Sequence, residues 1–259
     1  MAETNREQWY PTAAYLYVLH LDGPALAWEY LRRNPAYRRD WLRGDADFLQ
    51  PARRWGLRLL EDPNRDARDA QPDWLSDPDN LVHLCPEDAT DAQAQPFHVW
   101  ELPGYRYLTH DGERLVLTSQ LPQHILRLAI PTTLEDGQPF AYAVPAGANL
   151  QRRWRTAAVE LRWLDPPDAS HIAVSAVRPG RTALLHLRTL QALDGVQAGA
   201  SHRELGAVFF GAAAIAKHWY DGSDLRAQVR RFVRRGRVLM LGGYHRLLQT
   251  DGPEKGRSH

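Results

Sequence analysis

Residues 181–248 carry three runs of apolar residues at helical spacing, each closed by a glycine, and this feature restricts the fold most. In residues 181–193 (RTALLHLRTLQAL), Leu184, Leu187, Leu190 and Leu193 recur every three residues with Leu185 beside them. That pattern predicts an amphipathic helix, with Asp194-Gly195 as its expected stop. The second run opens on Ser201-His202-Arg203-Glu204, a hydroxyl at the cap and a carboxylate three residues on, which reads as a capping box. Leu205, Val208 and Phe209 form its apolar face, Gly206 leaves room for another helix to approach, and Gly211 can end it. The third run, residues 225–235 (LRAQVRRFVRR), starts near Ser223 or Asp224 and is expected to stop at Gly236. Residues 238–248 turn apolar again and close the core of this module.

Charge sharpens the picture. Residues 181–259 hold thirteen Lys/Arg and six Asp/Glu, whereas residues 63–180 hold ten and sixteen, although the whole chain is only +1. A basic end attracts polyanions, of which DNA is the commonest large one. At 100° per residue, Leu225, Val229 and Phe232 fall within about 60° of arc, and Arg230, Arg231 and Arg234 lie opposite. Arg226 sits on the flank, and Arg237 follows beyond Gly236. A helix packed on one side with arginines on the other suits the major groove and its phosphate walls. The expected base-reading residues are Arg226, Arg230, Arg231 and Arg234. Ser201, His202, Arg203 and Arg237 complete the expected DNA-binding set, with His202 and Arg203 on phosphate. Two helices of this kind after a support helix suggest a helix-turn-helix. The eleven residues 212–222 between them exceed the ordinary turn, so the motif is a variant, with residues 212–219 supplying an extra turn.

The N-terminal residues 1–62 read as helical. Pro24 follows Asp22-Gly23 at a first helical position, residues 25–33 (ALAWEYLRR) continue it, and Asn34-Pro35 stops that helix and starts another over residues 36–43, ended by Gly44. Arg32, Arg33, Arg38, Arg39 and Arg43 crowd this corner. They are candidates for secondary phosphate contacts (Arg32, Arg33, Arg38, Arg39) or for pairing with Glu29, Asp40, Asp45 and Asp47, with pairing favoured. Residues 63–97 are rich in Pro, Asp and Ala and read as connection, with one short strand at residues 81–85. Residues 97–102, 105–109, 114–118, 125–130 and 141–144 are strand-like and separated by turn residues. His110-Asp111-Gly112-Glu113 is the best hairpin. Residues 150–164 look helical, with Trp154, Ala157, Ala158, Leu161 and Leu164 on one side and Pro166-Pro167 as the stop.

Little in the chain suggests other chemistry. Its single cysteine, Cys85, permits no internal disulfide and fits a reducing compartment. Residues 1–8 lack the apolar core of a signal peptide and no run approaches a membrane span, so a cytoplasmic protein without membrane contact is expected. There is no phosphate-binding Gly-rich loop, no Gly-x-Ser-x-Gly, no His-Glu-x-x-His and no Cys-x-x-Cys. His98, His110 and His124 have no tight ligand spacing, and Asp73, Asp77 and Asp79 are better explained by solvation and capping. No catalytic residue, metal or cofactor is expected.

The run Gly199-Ala200-Ser201-His202-Arg203-Glu204-Leu205, with Phe210-Gly211, Trp219, Leu225-Arg226, Val229-Arg230-Arg231 and Met240-Leu241-Gly242-Gly243-Tyr244, resembles the helix-turn-helix-like domain of excision activators of proteobacterial integrative and conjugative elements. The N-terminal run 26–35 (LAWEYLRRNP), with Tyr37, resembles the regulator-like domain that precedes it in those activators. His245 stands where relatives are expected to carry Arg. The resemblance implies an activator of excision and transfer genes that binds double-stranded DNA. RNA polymerase or a small antiactivator are further expected partners. Short relatives of the C-terminal domain resemble antiactivators, which implies the alternative of a protein-interaction module without DNA contact. The expected fold is α+β: a regulator-like region with its connection (1–96), a strand-rich middle (97–178), a helix-turn-helix-like module (179–250) and a loose tail (251–259).

Overall fold

The computed structural model describes residues 9–44, 49–76, 80–88, 95–110, 113–121, 124–146, 150–164 and 180–249. Its architecture is α+β, with helices at both ends of the chain and a five-stranded sheet in the middle. By contact the chain forms two compact units, residues 1–72 with 178–248 and residues 73–177.

The N-terminal segment opens with a 3-10 helix, Thr12–His20. Helix α1 (Gly23–Leu31) follows, capped by the Asp22 carboxylate, which accepts from the Ala25 N–H at 3.0 Å. Pro24 lies in its first turn, where a missing N–H removes no helical bond. Helix α2 (Pro35–Arg43) starts on the Asn34 side chain and ends at Gly44, which takes the left-handed conformation with φ +54°. Helix α3 (Leu49–Arg54) completes the segment. Trp28, Tyr30 and Tyr37 are fully buried, with Trp28 and Tyr37 edge to face at 5.6 Å.

The middle unit is built on strands β1 (Leu81–Pro86), β2 (Tyr105–His110), β3 (Arg114–Leu121), β4 (His124–Pro131) and β5 (Phe140–Ala143), in spatial order β2-β3-β4-β1-β5. β1 runs parallel to β4 and antiparallel to β5. The β2–β3 pairing has the register of the expected hairpin, with His110 opposite Leu115. Its turn residues Asp111 and Gly112 lie outside the described residues. Val82, Leu84, Leu117, Leu126, Leu128 and Ile130 alternate onto one face, and Leu161 and Leu164 of helix α4 (Leu150–Leu164) pack against them. Trp154, expected on that packed side, is 63% exposed. The strand expected at residues 97–102 does not form. Phe97 is buried in the core and Val99–Glu101 make a 3-10 turn, with the Val99 N–H donating to the Asp136 carboxylate at 3.2 Å and not to a neighbouring strand. The stop expected at Pro166-Pro167 and the tail 251–259 fall outside the described residues.

Four helices close the chain: α5 (Arg181–Gln197), α6 (His202–Phe210), α7 (Ala212–His218) and α8 (Asp224–Met240), followed by a 3-10 segment, Gly243–Gln249. Two expected stops are overturned. Gly195 lies inside α5, where a Cβ would come within 2.5 Å of Leu205 Cδ2 and 3.0 Å of the Trp9 ring. Gly236 lies inside α8, where a Cβ would stand 3.2 Å from both the Thr189 carbonyl oxygen and Leu193 Cβ. Both glycines permit close packing and end nothing. Trp9 is buried with Ala192, Leu205, Phe209, Val229 and Val233, so the N-terminal segment and the C-terminal helices share a core. Polar bonds tie them further. Asn34 Nδ2 donates to the Met240 carbonyl at 3.1 Å, Tyr244 Oη to that of Trp55 at 3.0 Å, and Gln191 Nε2 to that of Trp9 at 3.1 Å.

Candidate nucleic-acid interface

The interface is assembled from the cap of α6 to the end of α8. The capping box is complete: Ser201 Oγ accepts from the Glu204 N–H at 3.2 Å, and Glu204 Oε2 accepts from the Ser201 N–H at 2.8 Å. Leu205 and Phe209 turn inward. A Cβ on Gly206 would lie 2.8 Å from Trp219 and 2.9 Å from Ile215, so this glycine admits the α7 segment. A single residue, Gly211, joins α6 to α7 at φ +88°, a conformation that side-chain-bearing residues rarely adopt. The long connection between the two main helices therefore holds a seven-residue helix of its own.

Ser223 caps α8, its Oγ accepting from the Arg226 N–H at 3.4 Å. The helix then runs for 17 residues. Val229, Val233, Gly236, Leu239 and Met240 are buried, and Phe232 is half-buried, edge to face with Phe209 at 5.7 Å. Leu225, expected in the core, is half-buried. Arg230, Arg231, Arg234 and Arg237 are exposed on the other side of the helix. Arg226 is half-buried and donates to Asp221 Oδ1 at 2.5 Å. That aspartate side chain is 89% exposed, so the pair is a surface one that adds little to stability. Sequence reasoning left out Arg235. It is exposed, and its charge together with burial acts on His186 of α5. It is the last residue of the run 225–235, and placing it on the same wheel as Arg230, Arg231 and Arg234 would have found it.

His202 and Arg203 are exposed in the first turn of α6, where the helix dipole favours an anion. Ser201 is exposed but its hydroxyl is engaged in the cap. His245 lies against Gly56 and the Tyr244 ring, and burial lowers its pKa.

The N-terminal arginines divide. Arg33 is 8% exposed; its guanidinium donates to Asp194 at 2.6 Å and pairs with Glu29, so its charge is already matched and withdrawn from the surface that a duplex could reach. Burial opposes the Glu29 charge, but Arg33 and Arg32 outweigh it and hold the carboxyl below its ordinary range. Arg32 is half-buried and donates to Glu29 at 2.8 Å. Arg38 is half-buried and bonds Asn64 Oδ1 at 2.7 Å, while Arg39 is exposed. Of the expected acidic partners, Glu29 pairs in this corner, Asp40 takes Arg54 and the Trp55 indole instead, and Asp45 and Asp47 lie outside the described residues.

The scattered histidines do not converge on a centre. His98 faces Asp136 at 3.4 Å, and His124 bonds Glu160 at 2.5 Å while stacking on Trp163. Among the described residues no three His, Cys, Asp or Glu side chains group as metal ligands, and no helix is long and apolar enough to cross a membrane.

Three family models match separate parts of the chain. Residues 8–59 match a proteobacterial transcriptional regulator-like domain, residues 79–126 a domain of unknown function, and residues 143–249 the DNA-binding domain of a T6SS transcription factor. No curated protein matches the chain. The chain is thus similar to transcription regulators at its N-terminal end and to a DNA-binding domain at its C-terminal end, and together these matches support a DNA-binding transcription regulator.

Proposed function

We propose that α8 is the DNA-reading element and that the protein activates genes for excision and transfer of an integrative and conjugative element from within the cytoplasm. The observation that carries the reading is the division of α8: Val229, Val233 and Gly236 buried, Arg230, Arg231, Arg234 and Arg237 exposed. A helix anchored along one side presents those charges without rearrangement. His202 and Arg203 would add phosphate contacts at the start of α6. The promoter assignment rests on the family resemblance, and RNA polymerase or a small antiactivator are the proposed protein partners.

Fluorescence anisotropy with the chain's own upstream DNA tests the reading. Arg230→Ala/Arg234→Ala is expected to weaken binding, and the slope of log K against log salt should fall by about 1.8 if both residues neutralise phosphates. Unchanged affinity and slope in the double variant would sink it.

One observation favours the second reading, a protein-interaction module. All six residues of edge strand β2 are exposed, Tyr105 at 81%, and Trp100 nearby is 77% exposed. An open strand edge is a template for a partner's strand. Absence of any DNA affinity at low salt would favour that reading.

A further inference from the structure

The helical unit contains a pocket of about 590 Å³, none of whose lining residues belongs to α8. Four arginines are among its lining residues: Arg32, Arg33, Arg38 and Arg68. Asp66 and Asp194 are the carboxylates in the wall. Arg33 is fixed by Glu29 and Asp194, and Arg32 by Glu29. Arg68 holds Asp66 at 2.6 Å and lies over the Tyr17 ring, 4.6 Å from its centroid. Arg38 differs from these. Among the described residues it bonds only neutral oxygens, the Arg32 carbonyl at 3.4 Å and Asn64 Oδ1 at 2.7 Å. Three carboxylates, Glu29 included, thus face four arginines, and the uncompensated charge is that of Arg38.

A concave volume of this size falls in the range of small-molecule sites, and an arginine fork matches carboxylate or phosphate oxygens two at a time. A DNA duplex is convex and cannot follow the wall inward to Arg33. We propose that this pocket binds a small oxyanion-bearing ligand, a phosphate or carboxylate compound, with Arg38 as the anchoring charge, Arg32 and Arg68 beside it and the Tyr17 ring as a wall. This site is independent of the reading of α8.

Isothermal titration with inorganic pyrophosphate and, separately, citrate, at matched ionic strength, tests the proposal and separates the two oxyanions. Saturable binding of at least one is expected in the wild type and in Arg230→Ala/Arg234→Ala. Arg38→Gln should weaken it by about tenfold or more, as expected for loss of a charge-assisted bond. Arg38→Lys, which keeps the charge without the fork, should fall between the two, and it decides the matter if Arg38→Gln does not fold. No binding in the wild type, equal binding in the Arg38 variants, or loss in the α8 double variant would overturn the proposal. So would an equal loss of affinity for a random duplex in Arg38→Gln, which would make Arg38 a DNA contact.

Discussion

A guanidinium withdrawn from water must be matched by nearby acceptors, and Arg33 meets that requirement with Glu29 and Asp194, from opposite ends of the chain. Glu29 is fully buried and also accepts from the Ala67 N–H at 2.7 Å. Glu29→Ala therefore removes one of the two carboxylates of Arg33, the carboxylate of Arg32 and the acceptor of a buried backbone donor together. A loss of about 3 kcal/mol or more in urea unfolding at pH 7 is expected. His186 makes a separate demand. Its ring meets Tyr30 Oη at 2.9 Å, and burial, with Arg235 second, pushes its pKa down to about 4 from 6.5. The folded state therefore resists a proton that the unfolded chain accepts. The stability this site contributes is complete above about pH 6.5 and is lost as pH falls toward about 4, roughly 3 kcal/mol in all. Urea midpoints at pH 7 and pH 5 check this. The wild type should lose more than His186→Gln, which does not titrate, and equal losses would show that His186 carries no such linkage.

Elements were legible where their cause is local. The capping box at Ser201, the stop-and-restart at Asn34-Pro35 and the alternation of β3 and β4 are written within a few residues, and each forms as expected. The arginine face of α8 was legible for the same reason, since 100° per residue separates it from Val229 and Phe232. The two glycine stops were misread because a glycine's local meaning and its packing meaning conflict. In isolation Gly weakens a helix by about 1 kcal/mol relative to Ala, which makes it a plausible end. In α8 that loss is offset by the close approach of α5 at Thr189 and Leu193, which the sequence around residue 236 does not encode. Strand 97–102 failed likewise, since Asp136 sits nearly forty residues away in the chain. Gly195→Ala and Gly236→Ala test the packing argument. An exposed helical glycine replaced by alanine should raise stability, but here overpacking should lower it, by about 1–3 kcal/mol. The effect should be larger at Gly195, where the nearest atom is at 2.5 Å, than at Gly236, where it is at 3.2 Å. A rise in melting temperature for both variants would mean that the helices can separate freely at these points.

At the scale of the molecule, the helical unit is made from two stretches of chain more than a hundred residues apart, and no periodicity reveals that pairing. Its consequence can be measured on the C-terminal helices alone. A fragment of residues 180–249 keeps α5 to α8 and every arginine of the candidate interface, yet it loses Trp9 from the core around Leu205 and Val229. Asp194 loses Arg33 and the Tyr15 hydroxyl, which donates to it at 2.7 Å. Gln191, fully buried, loses the Trp9 carbonyl that its amide reaches at 3.1 Å. Burying a large aromatic side chain is worth roughly 2–3 kcal/mol and each newly unsatisfied polar group costs about 1–3 kcal/mol, against a typical domain stability of about 5–15 kcal/mol. The fragment should therefore show a broadened, lower-temperature melt by circular dichroism, and adding back a peptide of residues 8–44 should restore part of the transition. A cooperative melt for the fragment at the temperature of the whole chain would show that these contacts only decorate a core complete without them. If the melt falls as expected, DNA affinity must be compared in the intact chain, because a variant that loosens Trp9 or Arg33 would disturb the proposed α8 interface from a distance.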